Sequence, residues 1–369
     1  MALAPAIALA PPGEVLAAAA VLVIALVGCS ACYAVRWFVV QQADLARLVE
    51  PLFMETRGDE DNGDDNIAND AAGAGATASP PYLSLVVPAY NEADRLPTML
   101  DEALGYLEAR AGRQARGAGA DGACAEGMPQ GGDFTYEVVV VDDGSRDATA
   151  AVVEEYAARR GLGGALRCLR LARNGGKGCA VRRGMLAAAG ALVLMVDADG
   201  ATAIADVARL EAELYEGLRA SSAGGGRARV RPREIGERFG IAVGSRAHLQ
   251  SKAMVERSVH RNLLMQAFHA LVEICSRTTV KDTQCGFKLF TRRAAQALAA
   301  NQRLTRWGFD VEVLYVAAKL RATIVETPVR WVEMPGSKLN VMGMFNTGLE
   351  VLSIPVGYGS GVWQIRVPP

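Results

Sequence analysis

The sequence predicts an α/β fold built on a mostly parallel sheet. Short apolar runs without alternation are separated by longer segments of helical period, and each run ends in a turn rich in Pro, Asp and Gly. Strands that are apolar throughout belong to sheets covered by helices on both faces. A chain of 369 residues, 51% of them hydrophobic, can bury one large domain with appendages. Lys and Arg (39) and Asp and Glu (40) nearly balance at a net charge of −1, which leaves no basic surplus of the kind a nucleic-acid partner selects.

Residues 15–35 carry no charge, long enough to span a bilayer, and Arg36 and Trp37 follow as a basic stop and an interfacial anchor. No Lys or Arg precedes this run, so the positive-inside rule puts the N-terminus in the lumen and the rest in the cytosol. A cleaved signal peptide would need a basic n-region and a shorter apolar run. We expect an anchor over residues 1–36 and a tether over 37–80, since 55–80 are acidic, Gly/Ala-rich and too polar to build a core.

Order begins at Tyr82. "LSLVVPAY" reads as a strand, followed by a helix for which Asn91 is a plausible cap. A Gly/Ala-rich insertion (111–133) precedes "YEVVVVDDGSRDATAAVVEEYAARR": strand, acidic turn, helix. "LRCLRLARNGGKGCAVRRGMLAAAG" gives a third strand and helix, and "ALVLMVDADG" a fourth strand. A Gly/Arg-rich insertion (219–236) precedes the strand "FGIAVGSR", a long helical stretch (251–275) and further strands and helices to about residue 333. The segment 341–369, interrupted by Pro355 and glycines, reads as a membrane-proximal helix associated with the membrane surface, not a second span, beside a domain spanning 81–340. Seven cysteines offer no complete zinc spacing; Cys29 and Cys32 stand inside the apolar run without a second pair. His248, His260 and His269 also lack metal spacing, and the odd cysteine count fits a reduced domain.

In a parallel α/β sheet ligands bind beyond the carboxyl ends of the strands, where Asp142, Asp143, Asp197 and Asp199 all fall. Asp197 and Asp199, two residues apart, cannot both stay ionised cheaply without a cation nearby. Mg²⁺ or Mn²⁺ joining carboxylates to substrate phosphates is one explanation, and an exposed Asp-rich turn is the other. Asp142 in "DDGS" could accept from a base N–H or a ribose hydroxyl, though Asp, Gly and Ser also make ordinary turns. "RNGGKGCAVRRG" offers backbone donors and Lys177 at a helix start; it is not a phosphate-binding P-loop sequence, and a simple glycine turn is equally open.

Together, "VVPAYNEADRL" (87–96), "VVDDGSRDAT" (140–149), "NGGKGCAVRRG" (174–184), "VDADGAT" (196–202) and "GSR" (244–246) resemble glycosyltransferase family 2, the inverting nucleotide-sugar transferases of GT-A fold that include the polyprenyl-phosphate sugar transferases. "RNLLMQAFH" (261–269), "KDTQCGFKLFTRRAA" (281–295), "WGFDVEVLY" (307–315) and "GSKL" (336–339) bring the resemblance closest to the branch that glucosylates dolichyl phosphate. The resemblance covers roughly residues 82–340. It implies that Pro88, Tyr90, Glu92 and Asp142 hold uridine, that Lys177 lies near the nucleotide, and that Asp197 faces the ribose or sugar. Asp199 would ligate Mg²⁺ or Mn²⁺. Arg246, Arg261 and Lys288 would face the acceptor phosphate, for which a guanidinium is suited by its paired donors. Several mannosyl relatives carry Gln two positions after the second Asp; here Ala201 stands there.

The implied reaction is inverting transfer of glucose from UDP-glucose to dolichyl phosphate at the endoplasmic reticulum membrane, for N-glycosylation. The divalent ion would let the diphosphate leave. A lipid phosphate is already ionised, so no general base is required, and Asp310, which stands where relatives with hydroxyl acceptors carry one, takes a positioning role. "QRLTRW" (302–307) looks superficially like the QxxRW element of polysaccharide synthases but has one residue too many. Two other readings are a GDP-mannose-dependent transferase and a non-catalytic nucleotide-sugar-binding membrane protein.

Overall fold

The computed structural model describes residues 80–115, 134–221, 232–249, 268, 270–276, 278–334 and 341–366. The expected anchor and tether, Arg261, His260, His269 and the 336–339 stretch lie outside them. No helix among the described residues is long and apolar enough to cross a membrane. The chain divides into two compact units. Of the first (1–76 and 254–274), only Phe268 and residues 270–274 are described, and they are helical. Everything below concerns the second, 77–253 and 275–369.

Its seven strands are β1 (Leu83–Ala89), β2 (Tyr136–Asp142), β3 (Leu166–Arg170), β4 (Leu192–Met195), β5 (Gly240–Ser245), β6 (Lys288–Thr291) and β7 (Thr323–Pro328). The helices are α1 (Leu96–Ala115), α2 (Thr149–Arg160), α3 (Lys177–Ala187), α4 (Val207–Ala220), α5 (Arg292–Asn301), α6 (Phe309–Lys319) and α7 (Val341–Gly359). The sheet order is β3-β2-β1-β4-β6-β5-β7, and β6 alone runs antiparallel to its neighbours. The chain winds outward through β1, β2 and β3, then returns to place β4 on the other side of β1. That reversal between β1 and β4 opens a crevice beyond their carboxyl ends.

The expected continuous apolar strands are buried on both faces, and alternate residues divide the work. Leu83, Leu85 and Val87 of β1 join Leu96, Leu100, Leu104 and Leu107 of α1 and Val207, Leu210 and Leu214 of α4 in one core. Val139 and Val141 of β2 turn the other way, against Ala180 of α3. Pro88 is tolerated in a central strand because the β1–β4 ladder stops at Val86 opposite Met195.

Several boundaries differ from expectation. Asn91 does not cap α1, which starts five residues later; its N–H donates to Ser145 Oγ (2.9 Å) and its Oδ1 accepts from the Arg146 N–H (2.8 Å). Asn91 thereby takes a left-handed φ of 53° and staples the β1 turn to the β2 turn. The insertion expected from 111 starts later, because α1 runs to Ala115; likewise α4 runs to Ala220, and residues 232–237 form a short 3₁₀ turn. Pro355 does not interrupt the last helix: α7 continues through it to Gly359, despite the lost N–H bond and the crowding of the ring against the preceding turn, with Ile354 beside it buried. Nor does the fold stop at residue 340, for Leu349, Val351 and Ile354 of α7 are buried and α7 packs on α6.

Helix α3 approaches the sheet closely because Gly184 faces it. A Cβ there would stand 2.3 Å from Val86 Cγ1 and 3.0 Å from Val141 Cγ2. Gly184→Ala should therefore cost about 1–3 kcal/mol from overpacking, outweighing the roughly 1 kcal/mol that alanine gains in a helix. Gly105→Ala in α1, where a Cβ meets nothing within 4 Å, should stabilise instead. Denaturant unfolding of the two variants should give shifts of opposite sign.

Candidate active site

Three strand ends build the crevice. Ala89 of β1 pairs with Asp142 of β2, so Tyr90 and Asp142 leave the sheet side by side, and the "DAD" turn follows β4 on the opposite side. Asp142 is buried, and its Oδ1 accepts the Ser145 N–H at 2.9 Å. Glu92 sits in the turn after Tyr90. Its N–H donates to Thr149 Oγ1 (2.9 Å), and its carboxylate takes both forks of Arg95 at 2.6 Å. Glu92 is thus already in a bidentate ion pair, an arrangement the sequence did not indicate.

Asp197 and Asp199 do different work. Lys177 Nζ lies 2.6 Å from Asp197 Oδ1. Asp197 also lies directly over Gly286, where a Cβ would come within 2.0 Å of its Oδ2. Asp199 Oδ1 accepts the Ala201 N–H at 3.0 Å, and Gly200 completes the turn at φ 70°. Ala201 is buried; its carbonyl accepts the Val332 N–H, and Thr202 bridges to Trp331. The Ala201 methyl offers no ligand atom to a cation. Burial alone would depress the Lys177 ammonium, but Asp197, Asp310 and Asp199 together more than reverse it, and its pKa is raised. Among the described residues no three His, Cys, Asp or Glu side chains gather into a complete metal cage.

The glycine turn before α3 does not present free donors. Gly175 and Gly176 donate to the two oxygens of Asp143 at 2.7 and 2.8 Å, and Gly178 and Cys179 donate to the carbonyls of Arg306 and Thr305. The phosphate-cradle reading of this turn is therefore corrected: its N–H groups are spent inside the protein, and Lys177 alone reaches the crevice. Gly176 must be glycine, at φ 95° with Thr305 O 2.6 Å from where a Cβ would stand. Asp143 is 3% exposed, and burial lifts its pKa to about 6, opposed by the Gly175 and Gly176 N–H groups.

The glycosyl transferase family 2 model matches residues 84–295. A curated dolichyl-phosphate β-glucosyltransferase of Drosophila melanogaster is 43% identical over 284 residues, 77% of each chain. The enzyme of the same name from Homo sapiens is 41% identical over 285 residues, 77% of this chain and 78% of that one. The chain belongs to glycosyl transferase family 2. It is a glycosyltransferase with the GT-A-like α/β core of that family.

Elsewhere in this family 2 transferase, Arg246 follows β5. Its Nε and Nη2 take Asp282 Oδ2 and Oδ1 at 2.7 and 2.9 Å, and its guanidinium lies 5.5 Å from the Trp331 ring centroid. Despite burial, this pairing holds Asp282 below the usual carboxylate range. Lys288 departs from the expected acceptor role. It is 1% exposed, and its ammonium is taken by Asp310 Oδ1 at 2.5 Å and the Cys285 carbonyl at 2.7 Å. Lys288 is the counter-ion of Asp310 in the first turn of α6.

Sequence reasoning placed Asp143 at the strand ends without giving it a role, and gave none to the other residues that hold this arrangement: Asp282, Trp307, Glu312 and Glu350. Trp307 belongs to the "QRLTRW" stretch set aside as coincidence; its ring centroid lies 5.4 Å from Lys177 Nζ. A signal existed for Glu350, the lone charge in an apolar helix.

Removing one partner of a buried ion pair strands the other. Lys288→Met should cost about 3–5 kcal/mol in denaturant unfolding, and Lys288→Met/Asp310→Leu should recover most of it. The double variant should unfold cooperatively yet have lost glycosyl transfer, separating the stability role of the pair from the role of the carboxylate.

Proposed function

We propose that the protein transfers glucose from UDP-glucose to dolichyl phosphate with inversion, forming dolichyl β-D-glucosyl phosphate. The observation that carries this reading is the Lys177–Asp197 pair beside Asp199 at the β1/β4 reversal, in a chain 43% identical to an enzyme named for that reaction. Tyr90, Pro88 and Asp142, side by side at the ends of β1 and β2, would hold uridine. Asp197 would face the ribose or sugar and hold Lys177 in the crevice, where the ammonium has donors left for the diphosphate.

A divalent ion fits this donor set. Asp199 is a half-buried carboxylate with one oxygen given to its own turn, and Mg²⁺ or Mn²⁺ characteristically binds through one or two carboxylates plus substrate phosphates. Asp199 would hold the ion, which supplies charge neutralisation of the departing diphosphate. Ala201 leaves out the side-chain ligand of the mannosyl relatives, which favours UDP-glucose over GDP-mannose.

An oxygen of the lipid phosphate attacks the anomeric carbon, and the bond from that carbon to the UDP oxygen breaks. No proton need be removed, because the acceptor is ionised near neutral pH. Asp310, bound to Lys288, then orients groups around the acceptor, and Arg246, fixed by Asp282 and stacked on Trp331, and Arg261 would meet the phosphate. The anchor at 1–36 would be a single span with its N-terminus in the lumen of the endoplasmic reticulum, setting the catalytic domain on the cytosolic face where nucleotide sugars meet the lipid headgroup.

Purified full-length protein given dolichyl phosphate, Mg²⁺ or Mn²⁺ and either donor should release UDP from UDP-glucose and form the glucosyl lipid. Turnover with GDP-mannose alone would overturn the assignment. Asp199→Asn should lower turnover by on the order of 10²-fold or more while leaving the melting temperature nearly unchanged.

A further inference from the structure

Lys177 is placed from outside its own helix. The N-terminus of α3 is bonded to the loop 302–308 by Gly178 N–H to Arg306 O (3.2 Å) and Cys179 N–H to Thr305 O (2.9 Å). Gln302 adds Nε2 bonds to Gly178 O and Leu304 O, both at 2.8 Å. The same loop carries Trp307, 39% exposed, against the Lys177 ammonium. Position one of these groups wrongly and both move.

The loop is held in turn by two buried carboxylates. Glu312 of α6, fully buried, accepts the N–H groups of Arg303 and Leu304 (2.7–3.0 Å) and the Tyr358 hydroxyl (2.8 Å). Glu350 of α7, 2% exposed, accepts the Gly308 N–H at 2.6 Å and the Trp307 N–H. Its Cβ lies so close to Gly308 that an added methyl there would stand 2.6 Å away. Burial raises both carboxyls to about 7, so each is retained at an energetic cost that its N–H partners only partly offset. Leucine would fill either place with less penalty. In Glu350, a costly buried acid bound to the backbone N–H groups of one loop has that loop's position as its product.

We propose that Glu350 is a positioning residue for the nucleotide-sugar site: from the C-terminal helix it fixes Trp307 and Gly308, the loop fixes the start of α3, and Lys177 is thereby set on Asp197 with Trp307 as the wall of the donor pocket. The last helix is then part of the donor site through the loop it holds. The proposal rests on the glucosyl-transfer reading for its kinetics but not for nucleotide affinity.

The test compares full-length wild type with Glu350→Ala, Glu350→Gln and Gly308→Ala, measuring Kd for UDP by calorimetry with Mn²⁺, KM for UDP-glucose and for dolichyl phosphate, kcat and melting temperature. Glu350→Ala and Gly308→Ala should raise Kd for UDP and KM for UDP-glucose about tenfold or more, leaving KM for dolichyl phosphate unchanged. Glu350→Gln, which keeps one acceptor oxygen for the Gly308 N–H, should return most of the lost affinity. A purely structural role would lower the melting temperature and the active fraction with both donor constants unchanged, and that result overturns the proposal. Should Glu350→Ala fail to fold, Gly308→Ala and Glu350→Gln decide it on the same constants. Wild type that binds UDP but transfers no glucose would refute the functional reading, while the UDP affinities of the variants would still test Glu350.

Discussion

Five carboxylates, Asp142, Asp143, Asp197, Asp199 and Asp310, converge at the carboxyl edge of one sheet, and the structure around them is organised by the need to answer their charge. Like charges so close are tolerated only where each meets a donor or a cation. Asp143 is answered by two glycine N–H groups, Asp197 by Lys177, Asp310 by Lys288 and Asp142 by the Ser145 N–H. Asp199, like Asp142, takes a single N–H of its own turn, and its charge also bears on Lys177. A divalent ion held at Asp199 would add to that compensation.

The compensation dictates backbone choices remote from the chemistry. The winding order reverses between β1 and β4, which stay parallel, so the "DAD" turn leaves the same sheet edge as the β1 and β2 turns, on the far side of β1 from β2. Closing α3 onto this edge requires Gly176 and Gly178, since a Cβ at either would strike the 304–306 backbone or Phe309. Gly286 has no side chain because the Asp197 carboxylate occupies that space. These glycines are explained by close approach, and in Gly176 by a positive φ as well.

Much of this was legible in the sequence, and the boundary of legibility is physical. Period-2 and period-3.6 patterns are local, so the apolar strands, the helices between them and the acidic strand ends could be read directly. Asp197 and Asp199 declared themselves by standing together. Lys288 did not: nothing local distinguishes a lysine that meets solvent from one whose ammonium reaches a carboxylate 22 residues away. Asp143 binds glycines 32 and 33 residues on, and Glu350 binds Gly308 from 42 residues on, so their partners are set by tertiary packing alone. Asn91 misled because its residue type suits a helix cap and a left-handed turn equally, and the neighbouring strand's Ser145 and Arg146 decided between them.

The Lys288–Asp310 pair bears on why the acceptor would be a phosphate. A carboxylate that serves as general base must present a lone pair to the proton it removes. Asp310 is 3% exposed and gives one oxygen to an ammonium that is itself sealed from solvent. The same ammonium is held by the Cys285 carbonyl, so the carboxylate is fixed in orientation. A hydroxyl acceptor would need a base beside it, whereas a phosphate, ionised before it arrives, would demand only that its own charge be met. Arg246 could answer such a charge while bound to Asp282, because a guanidinium has five N–H groups and the carboxylate takes only those at Nε and Nη2. A carboxylate held as Asp310 is held fits the positioning role proposed for it, in which the acceptor brings its own charge and asks for no base.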